Sequence, residues 1–279
     1  MKKFLFWLST ILIIGVLAAC GSSEESAATN ETNDTKKLVV GASNIPHAVI
    51  LEKAKPILEE KGIELEIVTY QDYIMPNKAL DEKSLDANYF QHVPYLESQI
   101  ADHGYDFVNA GGIHIEPIGL YSQKYKSLDE LPDGATIIMS NSVADHGRIL
   151  SVLEKEGLIK LKEGVDKLKA TTDDIAENPK NLQFEYDYEA SFLPQVYNNG
   201  EGDVVVINSN YAIDAGLNPL EDSIAIESSD SPYANIIAVR SGDENREEIQ
   251  TLVEVLRSKE IQDFILEEWN GAVVPVSGE

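Results

Sequence analysis

The sequence predicts an α/β protein built as two lobes. Strand and helix signals alternate from residue 37 to residue 269. Residues 37–279 exceed what one compact domain usually holds. Two short segments, Pro-Ile-Gly at 117–119 and Ser-Pro-Tyr-Ala at 231–234, are placed to lead the chain into a second lobe and back, and two such crossings can act as a hinge. The expected division puts residues 37–117 plus 234–279 in lobe 1 and residues 118–233 in lobe 2. No period of about 20–50 residues repeats, so a solenoid is not suggested.

Taken in order, residues 37–42 (Lys-Leu-Val-Val-Gly-Ala) form a short strand. Ser43 and Asn44 are placed to cap a helix with Pro46 in its first turn, and Gly62 stops it. Pro56 lies inside that helix and removes one backbone bond, which predicts a kink. Ile63, Leu65 and Ile67 alternate with Glu64 and Glu66, giving a strand with one buried face. Residues 86–90 make the third strand; Pro94 opens a helix ending near Gly104, and 106–118 returns as extended chain. Strands follow at 135–139, 182–188 and 203–207, with helices at 147–156 and 191–198 between them. After a strand at 233–240 come two amphipathic helices, 244–257 with Ile249, Leu252, Val253 and Leu256 on one face, and 260–269. Repeated β-α-β units predict parallel sheets with ligands at the carboxyl ends of strands.

The amino terminus assigns a compartment. Lys2 and Lys3 precede an uncharged run over 4–19, shorter than the roughly 20 residues a bilayer span needs, so 1–19 reads as a signal peptide. Leu-Ala-Ala-Cys at 17–20 resembles the bacterial lipobox, in which the cysteine is diacylated and becomes the new amino terminus. Cys20 is the only cysteine, so the folded part has no disulfide, thiol nucleophile or thiolate metal site. The Ser-, Glu-, Ala-, Thr- and Asn-rich stretch that follows has no large apolar residue and reads, over 20–36, as a flexible tether. The formal charge of −26 becomes −28 once residues 1–19 are removed, because they carry two lysines and no acid. Such a body is repelled by nucleic acid and by anionic headgroups, so membrane attachment must come from acyl chains on Cys20.

Enzyme motifs are missing: there is no G-x-S-x-G elbow, no Walker A loop and no G-x-G-x-x-G after a strand. Neither catalysis nor a cofactor is expected. A metal reading starts from His114 and Glu116, two possible ligands on one strand face, which His47, His92 and His146 could join. Against it, the chain has no His-rich tract and no H-x-x-x-H on a helix, and no metal is expected.

Binding chemistry is better represented. Residues 86–95 read Asp-Ala-Asn-Tyr-Phe-Gln-His-Val-Pro-Tyr, four rings and an amide pair in ten positions. That is either an aromatic corner packed in the core or one wall of a small-molecule pocket, with ring area to bury and polar tips to orient a ligand. On strand alternation Phe90 and His92 face the pocket with Tyr95 beside them, while Tyr89 and Val93 pack inward. Arg148 follows Ser-Asn-Ser-Val-Ala-Asp-His-Gly at 140–147, at the expected start of a helix, where free N–H groups, the dipole and a guanidinium fork favour a carboxylate. The other reading of Arg148 is a surface salt bridge in an acidic protein. Asn208 and Asn210 lie just beyond a Val-rich strand, and Asn235 sits at the return crossing.

The chain resembles the methionine-binding lipoproteins of the MetQ/NlpA group, substrate-binding parts of ABC importers. The blocks that carry the resemblance are Gly-Ala-Ser-Asn-Ile-Pro-His at 41–47, Asp-Tyr-Ile-Met-Pro-Asn at 72–77, residues 86–96, His-Ile-Glu-Pro-Ile-Gly-Leu-Tyr at 114–121, Glu-Asn-Pro-Lys-Asn at 177–181, Ser-Pro-Tyr-Ala-Asn-Ile-Ile at 231–237, and the tail at 271–276. The resemblance implies a type II periplasmic-binding-protein-like fold and a lipid-anchored protein on the extracytoplasmic face of a bacterial membrane. It implies L-methionine or a close analogue as ligand, with an ABC permease and its ATPase as partners. It places Tyr73, Phe90, His92, Tyr95 and His114 around the ligand's side chain, Arg148 on its carboxylate, and Asn210 and Asn235 on its amino and carboxyl groups. One block departs from the family pattern Pro-Asn-Asp-Pro-Thr-Asn-x-Gly-Arg: residues 140–148 lose both prolines and the Thr-Asn, and bring Asp145 and His146 beside the carboxylate site. That leaves room for D-methionine, a Met-containing dipeptide or another apolar amino acid.

Overall fold

The computed structural model describes residues 35–276; the signal peptide, Cys20 and nearly all of the tether lie outside the described residues. In chain order the elements are β1 (Lys36–Ser43), α1 (Val49–Glu60), β2 (Ile63–Tyr70), α2 (Met75–Asp81), β3 (Ala87–His92), α3 (Val93–His103), β4 (Phe107–Ile115) and β5 (Gly119–Tyr121). Next come β6 (Thr136–Ser140), α4 (Val143–Lys155), β7 (Lys160–Leu161), β8 (Ile175–Glu177), β9 (Gln183–Tyr188) and α5 (Leu193–Asn198). The last are β10 (Val204–Ile207), α6 (Ser209–Asp214), β11 (Ala225–Ile226), β12 (Ala234–Arg240), α7 (Glu247–Leu256), α8 (Lys259–Glu268) and β13 (Val274–Pro275).

Two sheets result. The first has strand order β13-β4-β12-β3-β1-β2, the second β11-β5-β10-β6-β9, with β7 and β8 as a separate hairpin. The chain leaves the first sheet after β4 and returns to it at β12, crossing between the two at 116–118 and again at 227–233. This is a two-lobed α/β fold.

The sheets are mixed, which corrects the all-parallel expectation. β1 runs parallel to β2 and β3, but β12 is antiparallel to both β3 and β4. The cause is the return crossing. β3 ends where the lobes face each other, and β12 begins there, with Asn235 opposite both His92 and His114. β12 must therefore run back along its neighbours. In the second sheet β5 is antiparallel to β10 for the same reason, while β6 and β10 run parallel toward the cleft. β3, β4, β6 and β10 all end at the cleft.

Each sheet has its own core. Leu38 and Val40 of β1 pack with Ile50, Leu51 and Leu58 of α1 and with Ile249, Leu252 and Leu256 of α7. Each such buried side chain contributes about 1.5–3 kcal/mol. The second core joins Leu120, Ile137, Met139, Val204 and Val206 to Ile149, Leu150 and Leu153 of α4.

Several boundaries differ from expectation. Ser43 makes no side-chain cap, and Ile45 is extended (φ −127°, ψ 137°), so the regular helix starts only at Val49. α4 starts at Val143, four residues before the expected 147. α2 and α6, of 7 and 6 residues, were not expected, being too short to show a helical period. Among the described residues no helix is long and apolar enough to cross a membrane.

Candidate functional site

The aromatic segment is shaped by a bulge. Along β12 the register slips between Ile236, opposite Gln91, and Ile237, opposite Tyr89, leaving Phe90 without a partner. The extra residue turns the strand end so that Phe90, Gln91 and His92 all reach the cleft. Behind the wall, Gln91 Nε2 donates to Asn77 Oδ1 at 2.8 Å and to Asn88 Oδ1 at 2.9 Å, a buried amide knot that seats α2 on β3. Tyr89 is fully buried in the first core, and Val93, the first residue of α3, packs inward.

His92 serves as the N-cap of α3. Its Nδ1 accepts the Tyr95 backbone N–H at 3.1 Å, which leaves the ring proton on Nε2. That proton is donated across the cleft to Asp145 Oδ1 at 3.0 Å. A second bond spans the cleft where the Tyr73 hydroxyl donates to Asn210 Oδ1 at 2.6 Å. The Tyr95 hydroxyl donates to Tyr73 O at 3.0 Å, and the Tyr73, Phe90 and Tyr95 rings pack with centroids about 6 Å apart, alongside Ala144 of α4. Farther out, Asn44 Nδ2 donates to Asp214 Oδ1 at 2.7 Å.

Arg148 lies in the second turn of α4, 4% exposed, so it does not stand at the helix start, and the free N–H groups at Val143 are elsewhere. It is not a surface arginine either. Its Nε donates to Glu227 Oε2 at 3.0 Å, Nη2 donates to the same carboxylate and to Glu116 O at 2.8 Å, and the Tyr233 ring lies 4.6 Å from the guanidinium. Only Nη1 is turned elsewhere, 3.5 Å from Asp145 Oδ1. Asp145 also accepts from Asn208 Nδ2 at 3.2 Å. Burial alone would raise the Asp145 carboxyl; the His92 bond, Arg148 and the Asn208 amide together hold it down at about 2.

These groups line a cavity between the lobes. Of the residues expected to meet a ligand, Tyr73, Phe90, His92, Tyr95, Arg148, Asn210 and Asn235 all line it. His114 does not. It is fully buried one layer back, where its Nδ1 meets the Tyr89 hydroxyl and its Nε2 donates to Glu116 Oε1 at 2.6 Å. His146, expected beside the carboxylate site, turns away to bond Ser140 O at 3.0 Å and pack on Tyr186. Sequence reasoning did not place Gln91, Glu116 or Ser209 in the lining, and it named Asn208 only as a neighbour of Asn210. The bulge and the crossing at 116–118 that expose them leave no periodic trace.

Among the described residues, of the possible metal ligands only His47, His114 and Glu116 come together, their ligand atoms within 4.8 Å. They form a hydrogen-bonded set: Glu116 Oε1 takes both His114 Nε2 and, at 3.2 Å, His47 Nε2, which also meets Asn235 Oδ1 at 3.0 Å. Burial pushes His47 down to about 4 and His114 down to about 3, so both are neutral donors, while burial raises Glu116. The set stiffens the first crossing directly behind the cavity. His92 is committed to Asp145 and is not part of it.

The profile of the NlpA lipoprotein family matches residues 38–277. The chain belongs to the NlpA lipoprotein family. Within and around it, the chain is 50% identical to the methionine-binding lipoprotein MetQ of Bacillus subtilis (strain 168), over 99% of this chain and all of that one. A lipoprotein of the YaeC family from Enterococcus faecalis V583, described as a pheromone cOB1 precursor, has 58% identity and a TM-score of 0.85, covering 86% of this chain and 100% of its own. A nutrient binding protein from Burkholderia cenocepacia, solved bound to methionine, has 41% identity and a TM-score of 0.80, covering 85% of this chain and 99% of its own. Family membership makes the protein a membrane-associated bacterial lipoprotein in kind.

Proposed function

We propose that this NlpA-family lipoprotein is the substrate-binding component of an ABC importer and captures L-methionine between its two lobes. The observation that carries the reading is the lining of the cavity: an aromatic wall from one lobe faces an arginine and three asparagine or serine tips from the other. The methionine-bound Burkholderia relative supports the ligand's identity. Tyr73, Phe90 and Tyr95 would pack on the thioether chain, with His92 at their edge. Arg148 Nη1 would meet the carboxylate, and Asn210 and Asn235 would orient the ligand's backbone end.

Affinity then depends on closure. Methionine has about nine heavy atoms, so at the best efficiency of about −1.5 kcal/mol per atom the ceiling lies near −13 kcal/mol. Approaching it needs near-complete burial, which two separated lobes cannot give. The lobes, 37–117 plus 234–279 and 118–233, would close about the two crossings, and the liganded shape would be what a permease and its ATPase recognise. Sulfur–aromatic contacts would add only about 0.3–1.5 kcal/mol, so burial and the polar contacts dominate. Acyl chains on Cys20 would hold the protein on the outer face of the cell membrane, with no catalytic role.

Mass spectrometry of the small molecule released from denatured protein, paired with calorimetric titration of L-methionine, tests the reading. Intact methionine and saturable binding are expected. An altered product would replace it with catalysis, and zinc lost to a chelator together with binding would replace it with metal capture.

A further inference from the structure

The polar end of the cavity is richer in acceptors than a carboxylate-binding site needs. Arg148 is its one cation, and Glu227 already takes two of the three guanidinium nitrogens. A ligand carboxylate can reach only Nη1, and it must do so beside the Asp145 carboxylate 3.5 Å from that nitrogen. Asp145 is 1% exposed and ionised. Its Oδ1 takes the His92 proton and faces Arg148, while Oδ2 takes a single donor, Asn208 Nδ2, and keeps a free lone pair. Among the described residues nothing bonds the buried Oδ1 of the same Asn208 side chain, although Asn208 lines the cavity. A buried acceptor with no donor is destabilising unless something supplies one. Asp145 and Asn208 thus present two unfilled acceptors side by side, next to a guanidinium that is already neutralised.

We propose that Asp145 and Asn208 form an ammonium subsite, and that the cavity selects its ligand by the amine more strictly than by the acid end. Arg148 Nη1 and Asp145 lie head to tail to the two charges of an amino-acid zwitterion. Replacing the ligand's carboxylate by a neutral amide forfeits one contact with Nη1 but also removes its repulsion from Asp145. Removing the amine's charge forfeits the charged donor that would fill the free lone pair of Asp145 Oδ2 and the buried Asn208 Oδ1. The ligand class is an apolar residue with a free amino group, its acid end free or amidated. The inference rests on the methionine reading for the side chain and extends it at the backbone end.

Calorimetry with L-methionine, L-methioninamide and N-acetyl-L-methionine, on the wild type and on Asp145→Asn, tests it. In the wild type, methioninamide binds within about tenfold of methionine, and N-acetylmethionine at least about 100-fold more weakly, the loss of charge-assisted hydrogen bonds. In Asp145→Asn, methioninamide weakens by about 10- to 100-fold while methionine weakens less, because the repulsion is relieved with the attraction. The ratio of the two constants therefore rises. If Asp145 were only the partner of His92 across the cleft, both ligands would weaken together and the ratio would stay fixed, which overturns the subsite. N-acetylmethionine binding as tightly as methionine overturns it as well. Should Asp145→Asn not fold, Asn208→Ala decides: both amine-bearing ligands weaken, and unchanged constants overturn the subsite. A wild type that binds none of the three overturns the methionine reading and the subsite with it, an outcome distinct from binding with a fixed ratio.

Discussion

Arg148 shows how one side chain can carry both stability and recognition. It is buried among Glu227, Asp145 and the Glu116 carbonyl, so its removal leaves charges without a partner in a dry site. Breaking a buried pair in this way costs about 3–5 kcal/mol. Tyr95→Phe, by contrast, removes only the hydroxyl bond to Tyr73 O and leaves the ring in place, a change of about 0.5–1.5 kcal/mol. Arg148→Ala is therefore expected to weaken methionine binding far more than Tyr95→Phe in calorimetry, and to lower the urea midpoint as well. Equal losses in the two variants would remove Arg148 from the ligand's acid end. The residue type was legible in the sequence; its Glu227 partner, 79 positions away, was not.

At the scale of elements, α4 depends on one glycine for its seat. A Cβ on Gly147 would stand 2.1 Å from the Lys167 backbone oxygen, where no flexible side chain can give way. The loop over 162–169 lies directly on the helix there, one residue before Arg148. Gly147→Ala must push either the loop or the helix aside, which is expected to cost about 1–3 kcal/mol and to misplace the guanidinium. Urea denaturation and methionine titration on that variant check both effects; wild-type values in both would mean the loop is free to move. α4 also shows what element reading can and cannot do. Its apolar period over Ile149, Leu150 and Leu153 announces a helix, but its first turn, Val143 to His146, carries no apolar stripe and falls before the expected start at 147. The same limit hid α2 and α6.

For the whole molecule, the buried set at the first crossing couples pH to stability. His47 and His114 are held neutral by burial, with folded values of about 4 and about 3 against an ordinary 6.5. The unfolded chain binds more protons between those limits. Their contribution is thus complete above about pH 6.5 and declines as pH falls through the folded values. Glu116, raised by burial, works the other way: its contribution is present at low pH and lost as pH rises through its folded value. His47→Gln removes one of the two histidine slopes. Stability from urea denaturation should then fall less steeply between about pH 6 and 4.5, by about 1.4 kcal/mol per pH unit. Parallel curves for variant and wild type would show that His47 is not buried neutral.

The sequence by itself determined the α/β class, the order of the major strands and helices and the aromatic character of one wall, because these rest on local periodicity and on residue types. It also placed Phe90, His92, Tyr95 and Arg148 in one site through their resemblance to a family. Only the tertiary structure decided that the sheets are mixed, that His114 stands behind the wall and not in it, and that Glu116 and Asn208 join Asp145 at the polar end. Those outcomes follow from where the chain crosses between lobes and from the bulge at Phe90. They join residues far apart in sequence, so no window along the chain contains them.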